Sequence, residues 1–177
     1  MSHTISANFF SDYKMGDNIK YNLSVLKALY QNEDVVLVKP KIVIQVSLIE
    51  ACLYDFIYRI RTQTTEFQYL EASIREKIRG RSENKIYNLQ VMIKLCKQKL
   101  IMQQNDAFWD TFDELRKLRN RTHIQNRHNN WPPDEQYGFT TENLNKAETA
   151  VDDFFEWMQD EYPRPGHIQT FDLKFPW

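Results

Sequence analysis

The sequence predicts an all-α protein, a single-domain, up-and-down bundle of five to six helices with a short irregular or β-like C-terminal tail. Three observations carry that expectation. Apolar residues recur at three- and four-residue spacing through most of the first 160 positions, the period of a helix face turned to a core. Helix breakers are scarce, with 4 Gly and 6 Pro in 177 residues, and most of the Pro falls after residue 130. Hydrophobic residues make up 42% and aromatics 14%, which suits one packed core in a chain of this length. One domain over 1–177 follows.

Each element has its own signal. Residues 18–31 place Ile19, Leu23, Leu26 and Leu29 on one face, with Asp17 or Asn18 as N-cap. "NEDVVLVKPK" follows; its "VVLV" is β-prone, but Pro40 limits it to a connector with a short extended piece. The core helix is predicted over 41–62, where Ile42, Val46, Ile49, Leu53, Phe56 and Ile60 form one stripe. A shorter, more polar helix over 66–79 stops at Gly80. Ser82 caps the next, which runs to about residue 104 through Leu89, Met92, Ile93 and Leu95. Another is expected from Phe108 to about Asn126. "NRHNNWPPDEQYG" then breaks the pattern with Pro132 and Pro133. The last helix begins at Thr140 or Thr141 and aligns Leu144, Ala147, Val151, Phe154, Phe155 and Met158. In the tail, "QTFDLKF" alternates enough for a short strand, and the aromatics are expected to pack back on the bundle or meet a partner.

Cys52 and Cys96 each lie within an apolar helical pattern and read as reduced core thiols of a cytosolic protein. No Cys or His has a metal-spaced neighbour, so neither a metal nor another cofactor is expected. The first residues lack a basic start followed by an apolar stretch, and no run approaches 18 apolar residues. A soluble, cytoplasmic protein without membrane contact is the expectation. The net charge of −1 is unevenly spread: between Arg75 and Arg127 there are 13 Lys or Arg against 6 Asp or Glu. That basic middle is either an electrostatic footprint for a polyanion or a set of solvated helix faces.

The densest part of it is "LRKLRNRTHIQN", residues 115–126. At roughly 100° per residue from Phe108, the core arc takes in Phe112, Leu115, Leu118 and Thr122. Arg119 falls inside it at about 20°, and His123 and Arg116 fall on its edge at about 60° and 80°. Lys117 and Arg121 point away as ordinary surface charge. A guanidinium beside an apolar seam needs a partner or a wet cleft. Three readings stay open: Arg119 pairs with a buried acid, for which Glu50 is placed; the helix ends before His123; or Arg116, Arg119, Asn120 and His123 form a site.

"LRKLRNRTHI" resembles the signature of the HEPN family, an Arg and a polar residue, often Asn, followed a few positions on by a His in a small helical bundle. "VSLIEACLYDFI" (46–57) resembles the early helix of such domains, with a Ser-x-x-Glu pattern in apolar context. The likeness spans about residues 40–160. It implies a metal-independent endoribonuclease, of toxin–antitoxin or phage-defence type, whose two motifs face each other in a homodimer. An antitoxin or other protein partner belongs to the same setting. In that light His123 is the catalytic histidine, with Arg119, Arg116 and Asn120 around it. Arg116 leaves six residues before His123, which fits the family spacing. Arg119 leaves three, which is shorter, but supplies the Arg-Asn pair. The irregular spacing leaves an alternative, a non-catalytic HEPN-like module that binds RNA, a nucleotide or a partner protein.

The chemistry is coherent on its own. Cleavage of RNA by its 2′-OH needs a base for that proton, an acid for the 5′-oxygen, and a counter-charge for the crowded phosphorane. His moves protons near neutrality, and Arg offers a permanently charged fork to phosphate oxygens. One His per chain cannot easily serve as both acid and base, a physical reason for a symmetric dimer. Arg79, Arg81 and Lys85 are the candidates for holding the RNA backbone. His128 reads as a loop residue.

Overall fold

Residues 3–10, 13–62, 72, 76, 78, 88–98, 102, 104–121, 138–164 and 171–177 are described by a computed structural model. Five α-helices and a two-stranded sheet are formed among them. They run β1 (His3–Ser6), α1 (Tyr13–Tyr30), a 3₁₀ turn (Val35–Leu37), α2 (Val38–Thr62), α3 (Leu89–Lys97), α4 (Asp106–Asn120), α5 (Thr141–Glu161) and β2 (Asp172–Phe175). The architecture is all-α with a β-like tail, as the periodicity predicts. No helix among the described residues is long and apolar enough to cross a membrane.

The centre is α2, which packs against α1, α3, α4 and α5. Its predicted stripe of Ile42, Val46, Ile49, Leu53, Phe56 and Ile60 is fully buried. The helix starts at Val38 rather than at residue 41, with Pro40 inside the first turn, where its missing N–H breaks no ladder bond. The β-prone "VVLV" is therefore a 3₁₀ turn and a helix start. Asp34 caps the turn, its side chain accepting from Val36 N.

Boundaries differ elsewhere for local reasons. α1 begins at Tyr13, so Asp17 and Asn18 lie within it and cap nothing. Gly16 lets the ring of Phe171 pack against α1: a Cβ there would stand 2.8 Å from that ring. A helix from Ser82 to about 104 does not form as one piece. Asn88 takes an extended backbone and caps α3, its side chain accepting from Gln90 N, and α3 ends at Lys97. Asn105 caps α4 in the same way, accepting from Phe108 N at 2.9 Å. α5 starts as predicted, with Thr140 accepting from Asn143 N. The proposed 66–79 helix lies mostly outside the described residues, although residues 72, 76 and 78 are helical and Ile78 is buried.

α4 and α5 are locked by an aromatic cluster. Phe112 meets Phe154 edge-on at 5.4 Å, and Trp109 meets Trp157 at 6.1 Å. Such pairs add directional preference to their burial, so the angle at which α4 leaves the core is fixed. Cys52 and Cys96 are buried free thiols, each pushed well above the usual thiol range, chiefly by burial.

The strand of the tail has a partner the sequence reading did not supply. β1 pairs antiparallel with β2, His3 opposite Phe175 and Ile5 opposite Leu173. Ile5, Leu173 and Phe175 turn inward and are buried, which is the two-residue alternation of a one-sided ribbon. Asp152 of α5 ties both strands down, accepting from Trp177 Nε1 at 2.9 Å and meeting His3 Nε2 at 2.9 Å. One turn earlier Tyr30 donates to Glu148, and Gln45 Nε2 donates to the Tyr30 oxygen at 2.8 Å.

Burial raises both Glu148 and Asp152 above the usual carboxylate range, outweighing the hydrogen bonds from Tyr30 and Trp177 that pull them down. A raised folded-state pKa means the folded chain binds that proton more tightly, so these groups oppose folding most when ionised. Glu148→Gln, which keeps an acceptor for Tyr30, is therefore expected to gain stability over the parent at neutral pH. The gain should shrink as the pH falls into the carboxylate range, where the parent is protonated as well. Chemical denaturation of both proteins across that interval measures it, and a pH-independent difference would count against the burial argument.

Candidate functional site

The site is built where the C-terminal end of α4 crosses the middle of α2. On α4 the inward positions are Trp109, Phe112, Leu115 and Leu118, all buried. Trp109 widens the apolar arc beyond the predicted set. Arg116 and Arg119 fall between these positions, so both guanidiniums emerge beside core side chains, 11% and 20% exposed.

Each arginine has a carboxylate. Arg119 reaches across to α2, where its Nη1 donates to Glu50 Oε2 and its Nη2 lies 3.5 Å from Glu50 Oε1. The fork thus faces both oxygens of one carboxylate across the helix–helix seam. Its Nη2 also lies 3.5 Å from Oδ1 of Asn120, so Glu50, Arg119 and Asn120 form one short chain of polar groups. Arg116 stays on its own helix. Its Nε donates to Asp113 Oδ1 at 2.9 Å, and its Nη2 lies 2.8 Å from the same oxygen. Lys117 takes the other oxygen at 2.7 Å. Burial pulls the Asp113 carboxyl upward, but the bonds from Lys117 and Arg116 outweigh it and hold it below the usual range. Asp113 was absent from the sequence reading. Its spacing of three and four residues from Arg116 and Lys117 was the available signal.

α4 ends at Asn120, with Arg121 as its C-cap, its backbone N–H directed at the carbonyls of Leu118 and Arg119. The helix expected to about Asn126 is therefore shorter, ending at Asn120. Thr122 and His123 lie outside the described part of the chain, as do His128, Arg79, Arg81 and Lys85. Arg119 and Asn120 are brought together with Glu50 of α2, and Arg116 lies about one turn earlier on α4, paired with Asp113. Arg121 is half-buried and lines a groove between α4 and α5. Among the described residues no group of His, Cys, Asp or Glu is arranged to hold a metal ion.

Chemically, this is a rigid cationic corner. Arg119 is bonded to Glu50 yet one-fifth open to solvent, and it sits in the last helical turn, four residues before a histidine. Comparison with protein-family models, with characterised proteins and with solved structures finds no match.

Proposed function

We propose that the chain is a HEPN-like endoribonuclease that cleaves RNA by attack of the 2′-OH, without a metal ion. The observation that carries this reading is the Glu50–Arg119–Asn120 chain at the end of α4, immediately ahead of His123. His123 exchanges the proton of the 2′-OH or of the 5′-oxygen, and its copy in a second protomer does the opposite. Arg119 presents the N–H groups not engaged by Glu50 to the phosphorane, and Glu50 holds the guanidinium in place before substrate arrives, so little reorganisation is needed during reaction. Asn120 orients the guanidinium or a phosphate oxygen. Arg116, engaged at two nitrogens by Asp113, supports the electrostatic field from one turn behind. Toxin or phage-defence activity, with a neighbouring antitoxin, is the setting the sequence resemblance suggests.

Purified protein incubated with single-stranded RNA and a chelator is expected to yield fragments ending in a 2′,3′-cyclic phosphate. RNA left intact after prolonged incubation at low salt would overturn the proposal.

The grip of Arg119 on Glu50 also favours a second reading, a non-catalytic helical module in which the pair only ties α4 to α2. Arg119→Lys separates the two. The ammonium keeps an ion pair with Glu50 but loses the fork. A catalytic Arg119 then costs roughly 10²–10³ in cleavage rate at a nearly unchanged melting temperature. In the second reading the parent protein cleaves nothing for the substitution to slow.

A further inference from the structure

The face of α4 turned away from Glu50 carries a second feature. Between α4 and α5 lies a groove of about 390 Å³. Its floor includes Leu115 and Leu118, and its walls carry Lys117 and Arg121 from α4 and Lys146 from α5. Glu114 is the one acid among these lining residues. Lys146 Nζ lies 2.6 Å from Glu114 Oε2, and Lys117 Nζ lies 2.7 Å from Asp113 Oδ2. Both lysines remain open to solvent, 45% and 61% exposed, so these contacts are screened and exchangeable, and the ammonium groups stay available to an incoming anion.

Three cations from two helices around a concave, partly apolar wall suit a chain that alternates phosphates with flat bases better than they suit a single small anion. We infer that this groove is a track for the backbone of single-stranded RNA, with Lys117, Arg121 and Lys146 on the phosphates. The inference rests on the ribonuclease reading above and extends it. The groove reaches the end of α4 through Arg121, and the Glu50–Arg119 pair approaches the same end from the opposite side. Lys117 and Arg121, which the wheel assigns to plain surface charge, thereby acquire a role.

The test uses the full chain and a fluorescent 2′-O-methyl oligonucleotide, which offers the backbone but has no free 2′-OH and so cannot be cleaved. The triple variant Lys117→Gln, Arg121→Gln, Lys146→Gln is compared with the parent. A control triple carries Lys14→Gln, Lys20→Gln and Lys27→Gln on α1, outside the groove. Each phosphate contact on a single strand contributes about 0.7 to the slope of log affinity against log salt. Loss of three contacts should therefore flatten the slope by about 2 and weaken binding roughly 10²-fold at 0.1 M salt. The control triple should bind nearly as the parent does. Glu114→Gln, which removes the acid from the wall, should bind several-fold more tightly. If the groove variant binds the oligonucleotide and cleaves RNA like the parent, the groove assignment falls and the ribonuclease reading stands. Equal losses in the groove and control triples overturn the groove as a specific track. If the parent neither binds the oligonucleotide nor cleaves RNA at low salt, both inferences fall together.

Discussion

A His123→Ala variant is expected to keep the parent's helical circular-dichroism spectrum and melting temperature while its RNA cleavage rate falls roughly 10²–10⁴-fold. The magnitude is that of a positioned general acid or base, the role an imidazole fills near neutral pH. The fold should survive because α4 completes its hydrogen-bond ladder at Asn120 and is capped at Arg121, before the substituted position. A symmetric dimer adds a sharper expectation. If each histidine does half of the proton transfer, hetero-dimers of parent and His123→Ala protomers should be nearly as inactive as the homozygous variant. Cleavage of a labelled RNA by a co-expressed, tag-separated mixture measures this. Full activity in the His123→Ala homodimer would remove His123 from the mechanism.

The largest expected effect on stability lies elsewhere, toward the C-terminal end of α2. Asp55 and Arg59 are one helical turn apart, 3% and 2% exposed, with Arg59 Nε 3.0 Å from Asp55 Oδ2. The guanidinium also lies 5.6 Å from the centre of the Phe56 ring. Arg59→Ala takes the cation away from a carboxylate that is shut off from water, a change that typically costs about 3–5 kcal/mol. That is a large share of the roughly 5–15 kcal/mol by which a domain is stable. The double replacement Asp55→Leu, Arg59→Met, which removes both charges and keeps most of the volume, should recover most of the loss. Denaturant titration of the two variants against the parent is the measurement. If Arg59→Ala unfolds at the parent's midpoint, the pair does not hold α2 together.

Where the sequence was readable, it was readable because a helix writes its burial at a fixed period. The stripe on α2, the Thr140 cap of α5 and the strand at Asp172–Phe175 all follow from local pattern. The same wheel put Arg119 against the apolar arc and offered Glu50 as its partner, and the two are bonded in the folded chain. What local pattern did not contain is what distant residues settle. β1 is four residues long, and its partner lies at the far end of the sequence. The Phe171 ring packs over Gly16 of α1, a close approach that only a residue without a Cβ allows. Asn88 interrupts an apolar run by caring for the free N–H of Gln90, a choice propensity alone does not reveal. The polar residues buried in α2, Lys41, Gln45, Asp55 and Arg59, were passed over because a strong apolar stripe hides exceptions on its flanks.

The pairing of β1 with β2 has a consequence for the order of events during synthesis. His3 leaves the ribosome well before its partner, since the strand it pairs with is made 169 or more residues later. Closing so long a loop is entropically slow and brings little return until the helices have drawn its ends together. The bundle must therefore assemble first, holding the inner face of β1 against α5 without its neighbour. The ribbon closes as a final stitch.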